Sequence, residues 1–159
     1  MDAPILIIGV GNPDRGDDAA GLAVTQALSR ALAHHALPHV AIRESSGDGA
    51  DLLSAWQGFA VVVLVDATSP TGNAGHIRRL DAVTQPLPAT FFAASTHAFG
   101  VAQGVEMARA LGLLPPTLIV YGIEGHQFTL GAPMSAAVRD AVFQVTAAIL
   151  TELEKTAVS

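Results

Sequence analysis

The sequence predicts an α/β fold, a three-layer sandwich in which a mostly parallel sheet lies between helices. Three observations support this prediction. The stretch from Ile5 to Gly21 has the pattern of a buried strand, a tight turn and the start of a helix. The run from Phe59 to Val65 is apolar without alternation, which is typical of a strand buried on both faces of a parallel sheet. Strand-like and helix-like segments also alternate along the chain, which indicates successive βαβ units.

The first βα unit opens the chain. Its strand is the apolar run Ile5 to Ile8, which breaks at Gly9 into a glycine-containing loop. A helix is predicted next because apolar residues recur at every fourth position, at Ala20, Val24, Leu28 and Leu32. Asp17 and Asp18 stand where that helix starts. An aspartate at such a position commonly caps the helix and stabilises it by about 1 kcal/mol.

The middle of the chain contributes further strands and a short helix. His39 to Arg43 is predicted as a short strand, and Asp48 is placed to cap a helix over Ala50 to Trp56. The buried apolar strand described above follows and ends at Asp66. After a loop that contains proline and glycine, His76 to Leu80 is predicted as an edge strand.

Two helices and one strand complete the predicted elements. The first of these helices is indicated by four apolar residues on one face, Val101, Val105, Ala108 and Leu111. Gly112 ends that helix, and Thr117 to Tyr121 forms the last strand. Ser135 is placed to cap the final helix, whose inward face carries Val138, Val142, Val145 and Ile149. We expect the tail after Glu152 to fray.

Composition narrows the classes of function. The chain has 159 residues, a net charge of -6 and no cysteine, and we expect one domain over residues 1–159. The charge argues against nucleic-acid binding, and without cysteine there is no thiolate metal site and no thiol nucleophile. No apolar run approaches the roughly 18 residues of a membrane span, and the N-terminal stretch lacks the basic region of a signal peptide. We therefore expect a cytoplasmic monomer that does not bind membranes.

Polar side chains collect at one edge of the predicted sheet. In open α/β sheets, ligands bind outside the carboxyl ends of the strands, where the strand order reverses. Asp17 and Asp18 follow the first strand and Asp66 follows the third, and in a flavodoxin-like order these strands are neighbours. His97 is expected on the same edge. Two carboxylates and an imidazole can form a metal site with open positions, or can hold a water between an acid and a base.

Four motifs together resemble the hydrogenase maturation endopeptidase family. They are GVGNPDRGDDAAG near the start, VVVLVDA around Asp66, STHAFG around His97 and YGIEGHQFTLGAPMS late in the chain. They occur in the family's order and spacing and together span nearly the whole chain. The resemblance implies a twisted, mainly parallel five-stranded sheet between helices. It also implies that Asp18, Asp66 and His97 are the metal-binding and catalytic positions.

Members of that family cleave a short C-terminal extension from the large subunit of a nickel-iron hydrogenase once nickel is installed. The resemblance therefore implies an endopeptidase whose partner is the precursor of such a subunit and whose nickel is supplied by that precursor. Another divalent metal, such as zinc, is expected to be able to bind in vitro. Asp17 is left as a cap or a supporting residue, so Asp17→Asn is expected to cost about 1 kcal/mol or less and to retain cleavage. Gly47 stands where the family often has threonine, in a loop that faces the partner subunit.

Other functions stay open at this stage. A metal-dependent maturation chaperone that inspects the subunit without cutting it would use the same three side chains. The phrase GVGNP also opens peptidyl-tRNA hydrolases, but the continuation DRGDDAAG lacks the catalytic His and Asn segment of those enzymes. A dinucleotide site would need a third glycine where Asp14 stands, and Asp17 and Asp18 would repel a pyrophosphate at that helix end.

Overall fold

A computed structural model describes residues 3–35, 37–88, 90–93 and 97–158. The described residues form the strands β1 (Ile5–Val10), β2 (Val40–Ser45), β3 (Val61–Thr68), β4 (Ile77–Asp81) and β5 (Thr117–Glu124). They also form the helices α1 (Ala20–Leu32), α2 (Gly49–Ala55), α3 (Val101–Leu111) and α4 (Ala136–Val158), with a 3-10 turn at Gly16–Ala19 before α1. Ser95 and Thr96 of the STHAFG motif lie outside the described residues.

The strands form one sheet in the order β2-β1-β3-β5-β4. β1 pairs in parallel with β2 and β3, β3 pairs in parallel with β5, and β4 runs antiparallel along the edge of β5. The predicted α/β sandwich is therefore confirmed, including the neighbouring placement of the first and third strands. Because the strand order reverses between β1 and β3, a crevice is expected at their carboxyl ends.

Two hydrophobic layers cover the two faces of the sheet. On one face, α1 and α4 pack against Ile5 and Ile7 of β1. On the other face, α2 and α3 pack against the alternate residues Leu6 and Ile8. Both faces of the central strands are therefore buried from solvent, which is why their sequences are apolar without alternation. No helix in the described part of the chain is long and apolar enough to cross a membrane.

All five strands and the last helix continue beyond their predicted ends. β3 runs on to Thr68, so Asp66 lies within the strand and not after it. The reason is that β5 also continues to Glu124, and the two strands stay paired up to Thr68 and Glu124. The prediction that the tail frays after Glu152 is wrong, because α4 continues to Val158. Burial of Leu153 against the core supports this extra helical length.

Close packing at two glycines places the start of α1 against the sheet. A Cβ atom added to Gly9 would lie 2.3 Å from the carbonyl oxygen of Gly21, and one added to Gly21 would lie 2.3 Å from the carbonyl oxygen of Val65. Only glycine permits this approach of helix and strand. The 3-10 turn that carries Asp17 and Asp18 is thereby held at the carboxyl ends of β1 and β3.

Candidate active site

A cleft of about 670 Å³ opens at the carboxyl ends of β1 and β3. All three residues that the sequence predicts as a site line this cleft, namely Asp18, Asp66 and His97. The loops after β1 and β2 form more of its wall, and they contribute Asn12, Arg15, Ser46 and Gly47. The fold thus brings side chains from four separate segments to one opening.

Asp18 lies half-buried at the edge of the turn after β1. One oxygen of its carboxylate accepts a hydrogen bond from the backbone amide of Asn12, at 2.9 Å. Burial raises the pKa of Asp18 above its ordinary value, and the Asn12 amide and the positive charge of Arg15 oppose that rise. The side chain is therefore fixed by the loop and still faces the cleft.

Asp66 is the more deeply placed carboxyl group, with 7% of the residue exposed. Its Oδ1 accepts a hydrogen bond from the backbone amide of Ala67 at 2.8 Å. Burial raises the pKa of Asp66 well above its ordinary value, and the nearby negative charge of Asp18 raises it further. Two carboxyl groups in one cleft with different surroundings can divide the roles of acid and base.

His97 forms the opposite side of the cleft, just before α3. Its Nε2 lies 3.1 Å from the hydroxyl oxygen of Ser46, and its Nδ1 lies 4.0 Å from Oδ2 of Asp48. The other oxygen of Asp48 accepts hydrogen bonds from the amides of Ala50 and Asp51, as an N-cap of α2. The predicted capping role of Asp48 is therefore confirmed, and the loop after β2 contacts the imidazole.

Asp17 is fully buried and its carboxylate is engaged away from the three residues above. It accepts hydrogen bonds from the amides of His126 and Gln127, at 2.8 Å each, and from the amide and hydroxyl of Ser135, at 2.7 Å each. Burial alone would raise the pKa of Asp17, but these hydrogen bonds outweigh it and hold the pKa below its ordinary value. Asp17 is thus a tertiary anchor and not a helix cap.

The donor atoms of the cleft suit a divalent transition metal. Two carboxylates and one imidazole supply the oxygen and nitrogen ligands that nickel or zinc accepts, with coordination positions left over. Within residues 3–35, 37–88, 90–93 and 97–158, however, no group of three or more His, Asp or Glu side chains is arranged to hold a metal ion. Asp18, Asp66 and His97 share one cleft, and their role as metal ligands stays a prediction.

The aromatic side of the cleft was not found by sequence reasoning. Phe91 is buried, while its neighbour Phe92 is half-buried and lines the cleft. Phe128 also lines it and is half-buried. The sequence offered one signal for Phe128, namely its position just after β5 at the same rim. His126 is exposed, and its backbone amide donates a hydrogen bond to the carboxylate of Asp17.

Solved structures of hydrogenase maturation proteases are similar to this fold. The maturating endopeptidase HybD from E. coli is 22% identical with a TM-score of 0.75, over 96% of this chain and 93% of that chain. HycI from Thermococcus kodakarensis KOD1 is 21% identical with a TM-score of 0.71, over 96% and 94%. HybD from Thermococcus kodakarensis is 24% identical with a TM-score of 0.70, over 94% and 98%. At such identities the likeness shows the fold.

The sequence itself supplies the evidence for the family. No curated protein sequence matches this chain. The sequence model of the HycI hydrogenase maturation proteases matches residues 23–152, a range that includes Asp66 and His97 and begins just after Asp18. A match over this much of the chain establishes membership. The chain belongs to the hydrogenase maturation protease family.

Proposed function

We propose that this chain is the endopeptidase that removes the C-terminal extension of a nickel-iron hydrogenase large-subunit precursor after nickel insertion. The observation that carries the proposal is the meeting of Asp18, Asp66 and His97 at one open cleft. The nickel belongs to the substrate, and these three side chains contact it there.

The carboxyl pair supports hydrolysis. Peptide cleavage needs a base that takes a proton from the attacking water and an acid that gives a proton to the departing amine. Asp18 and Asp66 are two carboxyl groups in one cleft, and a carboxyl group can take or give a proton in these steps. Water adds to the scissile carbonyl, the carbon–nitrogen bond breaks, and the protonated amine leaves with the extension.

The proposal is tested by incubating nickel-loaded precursor with the protein and measuring the mass of the precursor over time. Wild type is expected to shorten it at the C-terminus, whereas Asp18→Asn, Asp66→Asn and His97→Ala are expected to lose at least about 100-fold of the rate, as when a group that contacts the reacting centre is removed. Circular dichroism should show that these variants stay folded. Asp140→Asn, an exposed acid on α4, is the control and should cleave normally.

Two outcomes would overturn the proposal in different ways. Equal cleavage of nickel-free and nickel-loaded precursor would contradict the role of nickel but would support the protease activity. Persistent binding of the precursor without any change in its mass would favour a maturation chaperone that inspects the subunit without cutting it.

A further inference from the structure

The segment between β5 and α4, residues 125–135, contributes Phe128 to the lining of the cleft, and we name it the Phe128 loop. It is tied to the turn that carries Asp17. All four hydrogen bonds of the Asp17 carboxylate come from this loop, from His126 and Gln127 at one end and from Ser135 at the other. One buried carboxylate therefore clamps both ends of the loop.

Backbone contacts strengthen the same junction. The amide of Asp17 donates to the carbonyl of Gln127 at 2.7 Å, and the amide of Gly131 donates to the carbonyl of Asp14 at 2.7 Å. Gly16 adopts a φ of 54°, and a Cβ atom there would lie 2.3 Å from the Gln127 carbonyl oxygen. The turn and the loop thus interlock too closely for either to shift alone.

The Phe128 ring lies where this junction meets the cleft. A Cβ atom added to Gly125 would lie 2.4 Å from the ring and 3.1 Å from the Cβ of Asp17, so the ring packs over the glycine beside the anchor. The ring is half-buried and lines the cleft, while Gln127 and Thr129 on either side of it are exposed. A partly exposed aromatic ring in a cleft offers apolar area to a bound polypeptide at little cost in side-chain entropy.

We propose that Asp17 is a positioning residue for precursor binding, which holds the Phe128 loop so that the Phe128 ring forms a contact wall for the precursor polypeptide. This inference rests on the proposed function. A buried carboxylate with four donors fixes a loop more tightly than apolar packing does, because releasing it would leave a charge without partners. Asp18 then contacts the substrate's metal, while the adjacent Asp17 acts through the loop.

The test compares the variants Asp17→Asn, Phe128→Ala and the double variant in precursor cleavage. Each single variant is expected to raise KM about tenfold, with a much smaller change in kcat, because binding is lost more than chemistry. If Asp17 acts through Phe128, the double variant should be no worse than the poorer single variant. Phe128→Leu, which keeps an apolar side chain, should recover most of the binding. Asp81→Asn is the matched control, since its carboxylate also accepts backbone hydrogen bonds, from Val83 and Thr84.

Two further measurements distinguish a role of Asp17 in precursor binding from a purely structural role. Chemical unfolding of Asp17→Asn and cleavage assays well below its melting temperature distinguish loss of fold from loss of binding. An unchanged KM in a folded Asp17→Asn, or additive effects in the double variant, would overturn the inference.

Direct measurement of precursor binding tests this inference independently of the proposed protease activity. Calorimetry with uncleaved precursor should show weaker binding for Asp17→Asn and Phe128→Ala than for wild type. If wild type binds but never cleaves, the proposed protease activity fails while this inference stands. If both variants bind as wild type does, the inference fails and the activity is untouched.

Discussion

At the residue scale, the carboxylate of Asp48 serves two neighbours. One oxygen caps α2 through backbone amides, and the other lies beside Nδ1 of His97. Ser46 contacts the opposite nitrogen of the same ring. A carboxylate beside a metal-binding histidine commonly sets the orientation of its ring. We therefore expect Asp48 to stabilise a helix and to orient His97 toward the precursor's nickel.

Two substitutions at Asp48 separate these roles. Asp48→Asn keeps a capping side chain but removes the charge, so the free energy of unfolding should be unchanged while processing slows about tenfold. Asp48→Ala loses the cap as well, and its free energy of unfolding should fall by about 1 kcal/mol. Urea unfolding and cleavage time courses measure the two effects. Asp51→Asn, an exposed acid in the same helical turn, is the control. Wild-type cleavage by Asp48→Asn would show that its charge does not act on His97.

The two adjacent aspartates show how far sequence reasoning reaches at this scale. The family resemblance selected Asp18, and the structure places Asp18 in the cleft and Asp17 outside its lining. The partners of Asp17 could not be predicted, because they lie 109 to 118 positions away along the chain. Asp17 was expected to be a cap or a supporting residue, and its four hydrogen bonds show that it supports the loop before α4 and does not cap α1.

At the scale of elements, the sequence located every strand and helix core but placed the strand ends too early, those of β3 and β5 among them. Polar residues such as Asp66 and Glu124 resemble strand ends when each segment is considered alone. In the fold, the two strands pair with each other through these residues, so both continue. Strand ends depend on the partner strand, which local sequence does not specify.

Glu124, at the end of β5, holds the loop after β3. Its carboxylate accepts hydrogen bonds from the hydroxyl and amide of Thr71 and from the amide of Asn73. Burial alone would raise the pKa of Glu124, but these hydrogen bonds, with a smaller contribution from His76, outweigh it and lower the pKa below its ordinary value. The ionised carboxylate therefore stabilises the folded chain.

Substitution of Glu124 should change the pH dependence of stability. Because the pKa is lower in the folded chain, its contribution is fully present above the unfolded value near 4.5 and is lost as pH falls through the folded value. Glu124→Gln should lower the free energy of unfolding at pH 7 by about 1–3 kcal/mol and flatten its fall below pH 4.5. Urea unfolding at several pH values measures both. Glu154→Gln, an exposed acid on α4, should change neither. Parallel curves for Glu124→Gln and wild type would contradict this role.

At the scale of the whole molecule, the sheet topology determined where the site lies. A parallel sheet whose order reverses between β1 and β3 places its crevice at their carboxyl ends, so that location was predictable. The shape of the crevice was not, because it depends on the Phe128 loop, which starts at the end of β5 and is anchored on the turn after β1. This contact joins segments 109 to 118 positions apart along the chain, so tertiary packing and not local sequence determines it.

The small number of candidate metal ligands in the cleft leads to a prediction about metal affinity. Under the proposed function, three side chains would leave the coordination of nickel or zinc incomplete, and a metal at Nε2 of His97 would compete with Ser46. The protein without precursor should therefore bind either metal with a dissociation constant weaker than about 1 μM. Calorimetry at neutral pH measures this affinity, and Asp18→Asn should weaken it further, whereas Asp140→Asn should not. Under the proposed function, weak binding would let the site engage the nickel of the precursor and release it after cleavage. Nanomolar binding by the isolated protein would indicate a resident metal and a different mechanism.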